Sequence, residues 1–245
     1  MICICLEGTW SPEPWGILGD VVSRISVPVV RVRYPEEYGK SFSYAESVYI
    51  GKRALRRRIE QIKDHFVIVC YSQGAHIAGD VAYEYRDDPR FLAIYLIADP
   101  KRSPADEVVG DSPGGKGIFG SRRVGPKAKH IVAKGDIISA CDNPFISNVA
   151  QYTTERKNGN FKDWLYGFKE VGSRRQPGGK ILRAVQEVKY YLKSGVHSKY
   201  NEMELFPGTT ATRWIAEDIE RINNERTEDT KQPPEDPLFL AALRS

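Results

Sequence analysis

Val67-Ile68-Val69-Cys70-Tyr71-Ser72-Gln73-Gly74-Ala75 is the stretch that decides the fold of this chain. A β-branched apolar run ends at a serine, and small residues open a helical pattern directly behind it. A strand that breaks sharply into a helix presents the residue at the break on the rim of a sheet, and a serine held there is a nucleophile elbow. Gly74 and Ala75 let the following helix pack close to the strand. Cys70 occupies the position where the G-x-S-x-G form of the elbow has its first glycine.

Working outward, other apolar runs read as strands: Ile2–Leu6, Val27–Tyr34, Phe66–Cys70, Phe91–Ala98 and a run beginning with His130–Ala133. Between them lie helical patterns. One covers about Trp15 to Ser23. Another follows the S-x-x-E capping box Ser43–Glu46 and spaces Val48, Ala54 or Leu55, Ile59 and Ile62 along one face. Others run from Gly74 to about Arg86, over Ile181–Leu192 (Ile181, Leu182, Val185, Val188, Leu192), and over Thr209–Ile222. Strands alternating with helices predict an α/β fold with a central parallel sheet and helices on both faces. One domain is expected over 1–226, with a helical, lid-like insertion at about 142–196, and a tail over 227–245. The insertion carries Phe161, Trp164, Leu165, Tyr166 and Phe168, and Pro104–Gly125 reads as a long loop on the rim.

At 245 residues, 41% apolar and 28% charged, the chain has the composition of an ordinary globular domain. A net charge of +4 with only local clusters such as Arg56-Arg57-Arg58 gives no nucleic-acid stripe. No apolar run approaches the roughly twenty residues of a membrane helix. Met1–Leu6 is too short for the apolar core of a signal peptide, so synthesis in a cytoplasm is expected. The four cysteines, Cys3, Cys5, Cys70 and Cys141, match no zinc spacing and are expected as reduced, buried thiols. No metal or organic cofactor is called for, and a monomer is expected.

Ligands of parallel sheets gather at the carboxyl ends of the strands, which singles out the loops after Leu6, Cys70 and Ala133. A serine hydroxyl needs an imidazole to take its proton and a carboxylate to orient that imidazole. Of the four histidines, His65 precedes the elbow strand, His76 sits on the elbow helix as a surface or packing residue, and His130 opens a strand at the wrong rim. His197, in a polar loop before the last helix, remains. Asp136 follows the second strand after the elbow and is the expected acid, with Asp99 in reserve. The order Ser72, Asp136, His197 is that of the α/β-hydrolases. The backbone N–H of Gln73, and the Gly8-Thr9 loop with Thr9, are the expected oxyanion donors.

With these residues assembled, the chain resembles the cutinase-like serine esterases, and within them lysin B, the mycolylarabinogalactan esterases of phages. Glu7-Gly8-Thr9 resembles the His-Gly-Thr of the lysin B oxyanion loop, and Tyr34-Pro35, Ser47 and Gly51 resemble the stretch leading into its long helix. Tyr71-Ser72-Gln73-Gly74-Ala75 matches the elbow core, and Asp99-Pro100-Lys101-Arg102 resembles Gly-Asn-Pro-x-Arg. Gly135-Asp136 matches the catalytic Gly-Asp, and His197-Ser198-Lys199-Tyr200-Asn201 resembles His-x-Tyr-Asn with one residue added. Glu7 for His and Cys70 for Gly are departures. The 61 residues from Asp136 to His197 favour lysin B, whereas Ile138-Ser139-Ala140-Cys141 is closer to the cutinase pattern. The resemblance implies an α/β-hydrolase fold, a Ser72–His197–Asp136 triad, no cofactor, and a lipid ester or mycolyl-arabinogalactan as substrate. It also implies an enzyme made in an infected host's cytoplasm that acts on the envelope after release. A cutinase or lipase of free esters, and a catalytically silent lipid-binding domain, are the rival expectations.

Overall fold

A computed structural model of the chain describes residues 1–110, 112–155, 178–202 and 204–229. Five strands form one sheet: β1 (Ile2–Leu6), β2 (Val29–Arg31), β3 (Phe66–Tyr71), β4 (Phe91–Ile97) and β5 (Ala128–Ile131). They are parallel throughout, in the order β2-β1-β3-β4-β5. The order reverses between β1 and β3, so the loops after Leu6 and Tyr71 flank the switch point where open α/β sheets bind their ligands.

The near-continuous apolar character of the strands has a simple cause: both faces are covered. On one face Cys3, Cys5, Val67, Val69, Tyr95 and Ile97 pack against α1 (Gly19–Val22) and the C-terminal helix α6 (Ala211–Asp229), which contributes Ile215 and Ile219. On the other, Ile4, Leu6, Ile68, Cys70, Ile94 and Leu96 pack against α2 (Tyr44–Gln61) and α3 (Gln73–Ala82). Ser43 and Glu46 form the expected capping box, and Val48, Leu55 and Ile59 are buried on the inner face of α2. Each large apolar side chain so buried is worth about 1.5–3 kcal/mol. The fold is therefore the three-layer α/β arrangement expected, with a strand–serine–helix elbow of the α/β-hydrolase kind.

Several element limits differ from expectation. The segment at 15–23 is α-helical only over Gly19–Val22; ahead of it the Gly16 and Leu18 amides donate to the Glu7 carboxylate at 2.8 and 3.1 Å, and the Gly19 N–H closes a tighter turn on the Gly16 carbonyl at 3.1 Å. β2 is shorter than Val27–Tyr34 because an edge strand pairs on one side only, and just Val29, Val30 and Arg31 lie level with Cys3, Ile4 and Cys5 of β1. β5 begins and ends two residues before the expected run, since Ala128 already pairs with Ile94. The last helix starts at Ala211 and continues past Ile222 to Asp229, so residues 227–229 are helical. A hairpin of β6 (Glu204–Phe206) and β7 (Thr209–Thr210) precedes it, turning at Gly208 with φ 77°. Its signal in the sequence is the Pro207-Gly208 turn dipeptide.

Of the insertion, α4 (Pro144–Thr153) and α5 (Gly178–Ser194) are described. Phe145, Ile146, Val149 and Ala150 of α4 meet Ala184 and Val188 of α5 in a small separate core. The inward face of α5 carries Ala184, Val188 and Tyr191, while Leu192, expected on that face, is 61% exposed. Phe161, Trp164, Leu165, Tyr166 and Phe168, and the tail beyond residue 229, lie outside the described residues. Among the described residues no helix is long and apolar enough to cross a membrane. All four cysteines are buried free thiols.

Candidate active site

Ser72 sits between β3 and α3 with φ 53° and ψ −116°. A non-glycine residue in such a region costs about 1–3 kcal/mol and persists only where its surroundings enforce it. The enforcement is visible. The Ser72 N–H donates to the Ile97 carbonyl at 2.9 Å, and its own carbonyl accepts from the His76 N–H at 3.1 Å. Its side chain makes no capping bond to the helix. Gly74 is needed because a Cβ there would collide with the Leu6 carbonyl oxygen and lie 2.6 Å from that of Glu7. Cys70, the departure from the elbow pattern, is buried and donates from Sγ to the Tyr95 carbonyl at 3.2 Å.

His197 lies in a short 3-10 turn, Val196–Ser198, entered through Gly195 at φ 60°. Its Nε2 is 2.9 Å from Ser72 Oγ, and its Nδ1 is 3.0 Å from Asp136 Oδ2. Asp136 is fully buried. Burial pushes its carboxyl up, but the neighbouring His197 and hydrogen bonds from His197, Tyr200 and the Ile138 N–H outweigh that and hold it below the usual range. A carboxylate only accepts, so the shared hydrogen belongs to His197 Nδ1, and Nε2 is left to accept from the serine.

Tyr200 and Tyr71 brace this arrangement. The Tyr200 hydroxyl donates to Asp136 Oδ2 at 2.7 Å and accepts from the Ala133 N–H at 3.0 Å. The Tyr71 hydroxyl donates to the His197 carbonyl at 2.7 Å, and its ring lies 5.0 Å from the imidazole. Burial pushes both phenols well above their ordinary values, so both remain donors. Sequence reasoning assigns no role to either hydroxyl. Both residues fall inside the motifs around Ser72 and His197, and that adjacency is the one signal the sequence offers for them.

The loop after β1 is shaped by Glu7, which is fully buried. Burial raises its carboxyl, against the hydrogen bonds from Gly16 and Leu18. Gly8 lies against the elbow: a Cβ there would be 2.8 Å from the Tyr71 ring and 3.1 Å from Ser72 Cβ. Half-buried Thr9 follows it. Gln73, the first residue of α3, has its side chain tied down, donating from Nε2 to the Glu37 carbonyl at 3.0 Å. Its main-chain N–H belongs to the helix N-terminus, where amides have no intrahelical acceptor.

Glu7→Ala should orphan the Gly16 and Leu18 amides and lower stability by about 2–4 kcal/mol, measured by urea unfolding. Glu7→Gln keeps an acceptor for both. A raised carboxyl favours folding most below its unfolded value near about 4.3, and that contribution is lost as pH rises through the folded value. The Gln variant should lose this pH dependence.

The remaining candidates go elsewhere. Asp99 is committed to Arg122, whose Nη1 donates to its Oδ2 at 2.7 Å. His130 does not open its strand at the far rim. The parallel register sets it level with Leu96 and Cys70, buried, with Nε2 3.2 Å from Asp106. His76 is a packing residue, its Nδ1 3.0 Å from the Tyr44 hydroxyl and its Nε2 3.4 Å from Asp80. His65 lies beside Arg226, before β3.

No known protein-family profile matches the sequence, and no curated protein matches it. Among solved structures, the chain is similar to a cutinase-like protein from Cryptococcus sp., with 15% identity, a TM-score of 0.45, and coverage of 80% of this chain and 94% of that one. It is similar to an acetylxylan esterase at 19% identity and a TM-score of 0.46, covering 78% and 98%. It is also similar to a putative YdeN-like hydrolase from Pectobacterium atrosepticum at 12% identity and a TM-score of 0.37, covering 71% and 90%.

Proposed function

We propose that this chain is a serine esterase working through an acyl-enzyme. The observation that carries the proposal is the continuous line Asp136–His197–Ser72, with contacts of 3.0 and 2.9 Å, at the switch point of the sheet. His197 takes the Ser72 proton as Oγ attacks the ester carbonyl, then returns it to the departing alcohol. A water activated by the same imidazole releases the acid. Asp136 keeps the imidazole in the productive tautomer and stabilises its cation. The Gln73 N–H and the Thr9 loop receive the charge of the tetrahedral intermediate, where one donor is worth about 3 kcal/mol.

As substrate we propose the ester joining mycolic acids to arabinogalactan in the actinobacterial envelope, cleaved during phage lysis by an enzyme made in the host cytoplasm. The support is the run of lysin B-like motifs from Glu7-Gly8-Thr9 to His197–Asn201 and the long segment between Asp136 and His197. The Ile138–Cys141 stretch favours the second possibility, a cutinase-like esterase of free or polymeric lipid esters.

Labelling tests the reaction. A fluorophosphonate should add to Ser72 alone, seen by peptide mass spectrometry, and abolish hydrolysis of p-nitrophenyl butyrate. No adduct at Ser72 would sink the esterase proposal. Release of mycolic acids from purified mycolyl-arabinogalactan then separates the two substrates.

A further inference from the structure

Near the elbow lies a recess of about 370 Å3 whose walls include Trp10, Glu13, Arg33, Glu36, Glu37 and Lys40. That volume is within the roughly 300–1,000 Å3 of small-molecule sites. It adjoins Ser72 by two routes. Gly8 lies close enough to the elbow that a Cβ on it would be 3.1 Å from Ser72 Cβ, and Trp10 is two residues further on, at most about 7 Å of chain. On the other side, the Glu37 carbonyl accepts from the Gln73 side chain.

The recess is built on strained backbone. Trp10 and Glu36 both have φ 54°, and the Trp10 N–H donates to the Glu36 carbonyl at 2.8 Å. The result is an indole 55% exposed at the mouth of the recess, with Lys40 Nζ 5.7 Å from the ring centroid. A large apolar ring held out to solvent on strained backbone points to a ligand that covers it.

The lining selects the ligand. Three carboxylates oppose an anion, and Arg33 and Lys40 oppose a cation. The charges are largely satisfied among themselves: Glu13 pairs with Arg33 at 2.8 Å, and Glu36 with Arg31 at 2.9 Å. An acyl chain would desolvate these groups without replacing their hydrogen bonds. A neutral polyol can both donate to the carboxylates and accept from the cations, while its C–H face stacks on the indole. Resting on the esterase proposal, we infer that this recess is a sugar subsite that holds the alcohol portion of the ester, with Trp10 as its platform.

The test compares two butyrate esters, ethyl butyrate and 5-O-butyryl methyl arabinofuranoside, in the wild type, Trp10→Ala and Trp10→Phe. The wild type should prefer the sugar ester. Trp10→Ala should cut the ratio of kcat/KM values, sugar over ethyl, by about tenfold, mainly through KM, and Trp10→Phe should restore most of it. A general disturbance of the Thr9 loop would lower both rates together and leave the ratio unchanged; that outcome overturns the subsite while leaving the esterase intact. A titration with methyl arabinofuranoside, followed by the Trp10 indole N–H resonance, reads the subsite without turnover. If neither ester is hydrolysed, the esterase proposal fails, and a shifted or unshifted indole resonance still decides for or against the sugar site.

Discussion

Ser72→Ala should lower kcat on p-nitrophenyl butyrate by about 10^4–10^6-fold, because it removes the atom that forms the acyl-enzyme while leaving the rest of the site standing. The fold should be unaffected. The Ser72 side chain makes no capping bond, and the hydrogen bonds that hold the elbow come from its main-chain N–H and carbonyl, which alanine retains. Steady-state kinetics with a parallel thermal melt checks both halves. Adding His197→Ala to Ser72→Ala should cost little more, since residues that act as a unit lose their effect together. A variant that keeps more than about a hundredth of wild-type activity would mean that another group is the nucleophile.

Asp136→Asn should lower kcat by about 10^4-fold with little change in KM. An amide nitrogen can only donate, so an asparagine whose one oxygen stays on the Ile138 N–H sets its NH2 against His197 Nδ1, and the tautomer able to accept from Ser72 is lost. Stability should change with a defined sign. The carboxyl is depressed in the folded protein, so its contribution is present above the unfolded value near about 3.9 and is lost as pH falls through the lower folded value. Urea midpoints measured from neutral pH down into the carboxylate range should fall on acidification in the wild type and show a weaker fall in Asp136→Asn. An unchanged acid dependence would show that the buried charge is not what the site stabilises.

Much of the architecture is legible in the sequence because strands buried on both faces leave unbroken apolar runs. Phe66–Tyr71 and Phe91–Ile97 stand out for that reason, and Ser43–Glu46 marks the start of α2 through a bond spanning three residues. What escapes depends on distant partners. The helical pattern at 15–23 outruns the helix, and nothing in its period shows that the Gly16 and Leu18 amides ahead of it turn to the carboxylate at position 7. Periodicity points Leu192 inward on α5, but it cannot tell which of two adjacent residues meets His197, and the one that does is Tyr191. His130 reads as the start of a strand because its apolar residues begin there, whereas the ladder begins two residues earlier and carries it inward.

Local chemistry alone is enough to set the alternation of strands and helices, the elbow at Ser72, and the order in which a serine, an aspartate and a histidine follow one another. Residue size, branching, and periods of two and 3.6 carry that much. The bracing of Asp136 by Tyr200, the shaping of the Thr9 loop by Glu7, and the exposure of Trp10 beside Ser72 exist only in the folded molecule. The two carboxylate contacts join residues that the chain separates by nine to sixty-four positions, through polar groups whose worth depends on close geometry. Such groups leave no periodic trace, and their partners meet only once the parallel register has brought the strand ends together.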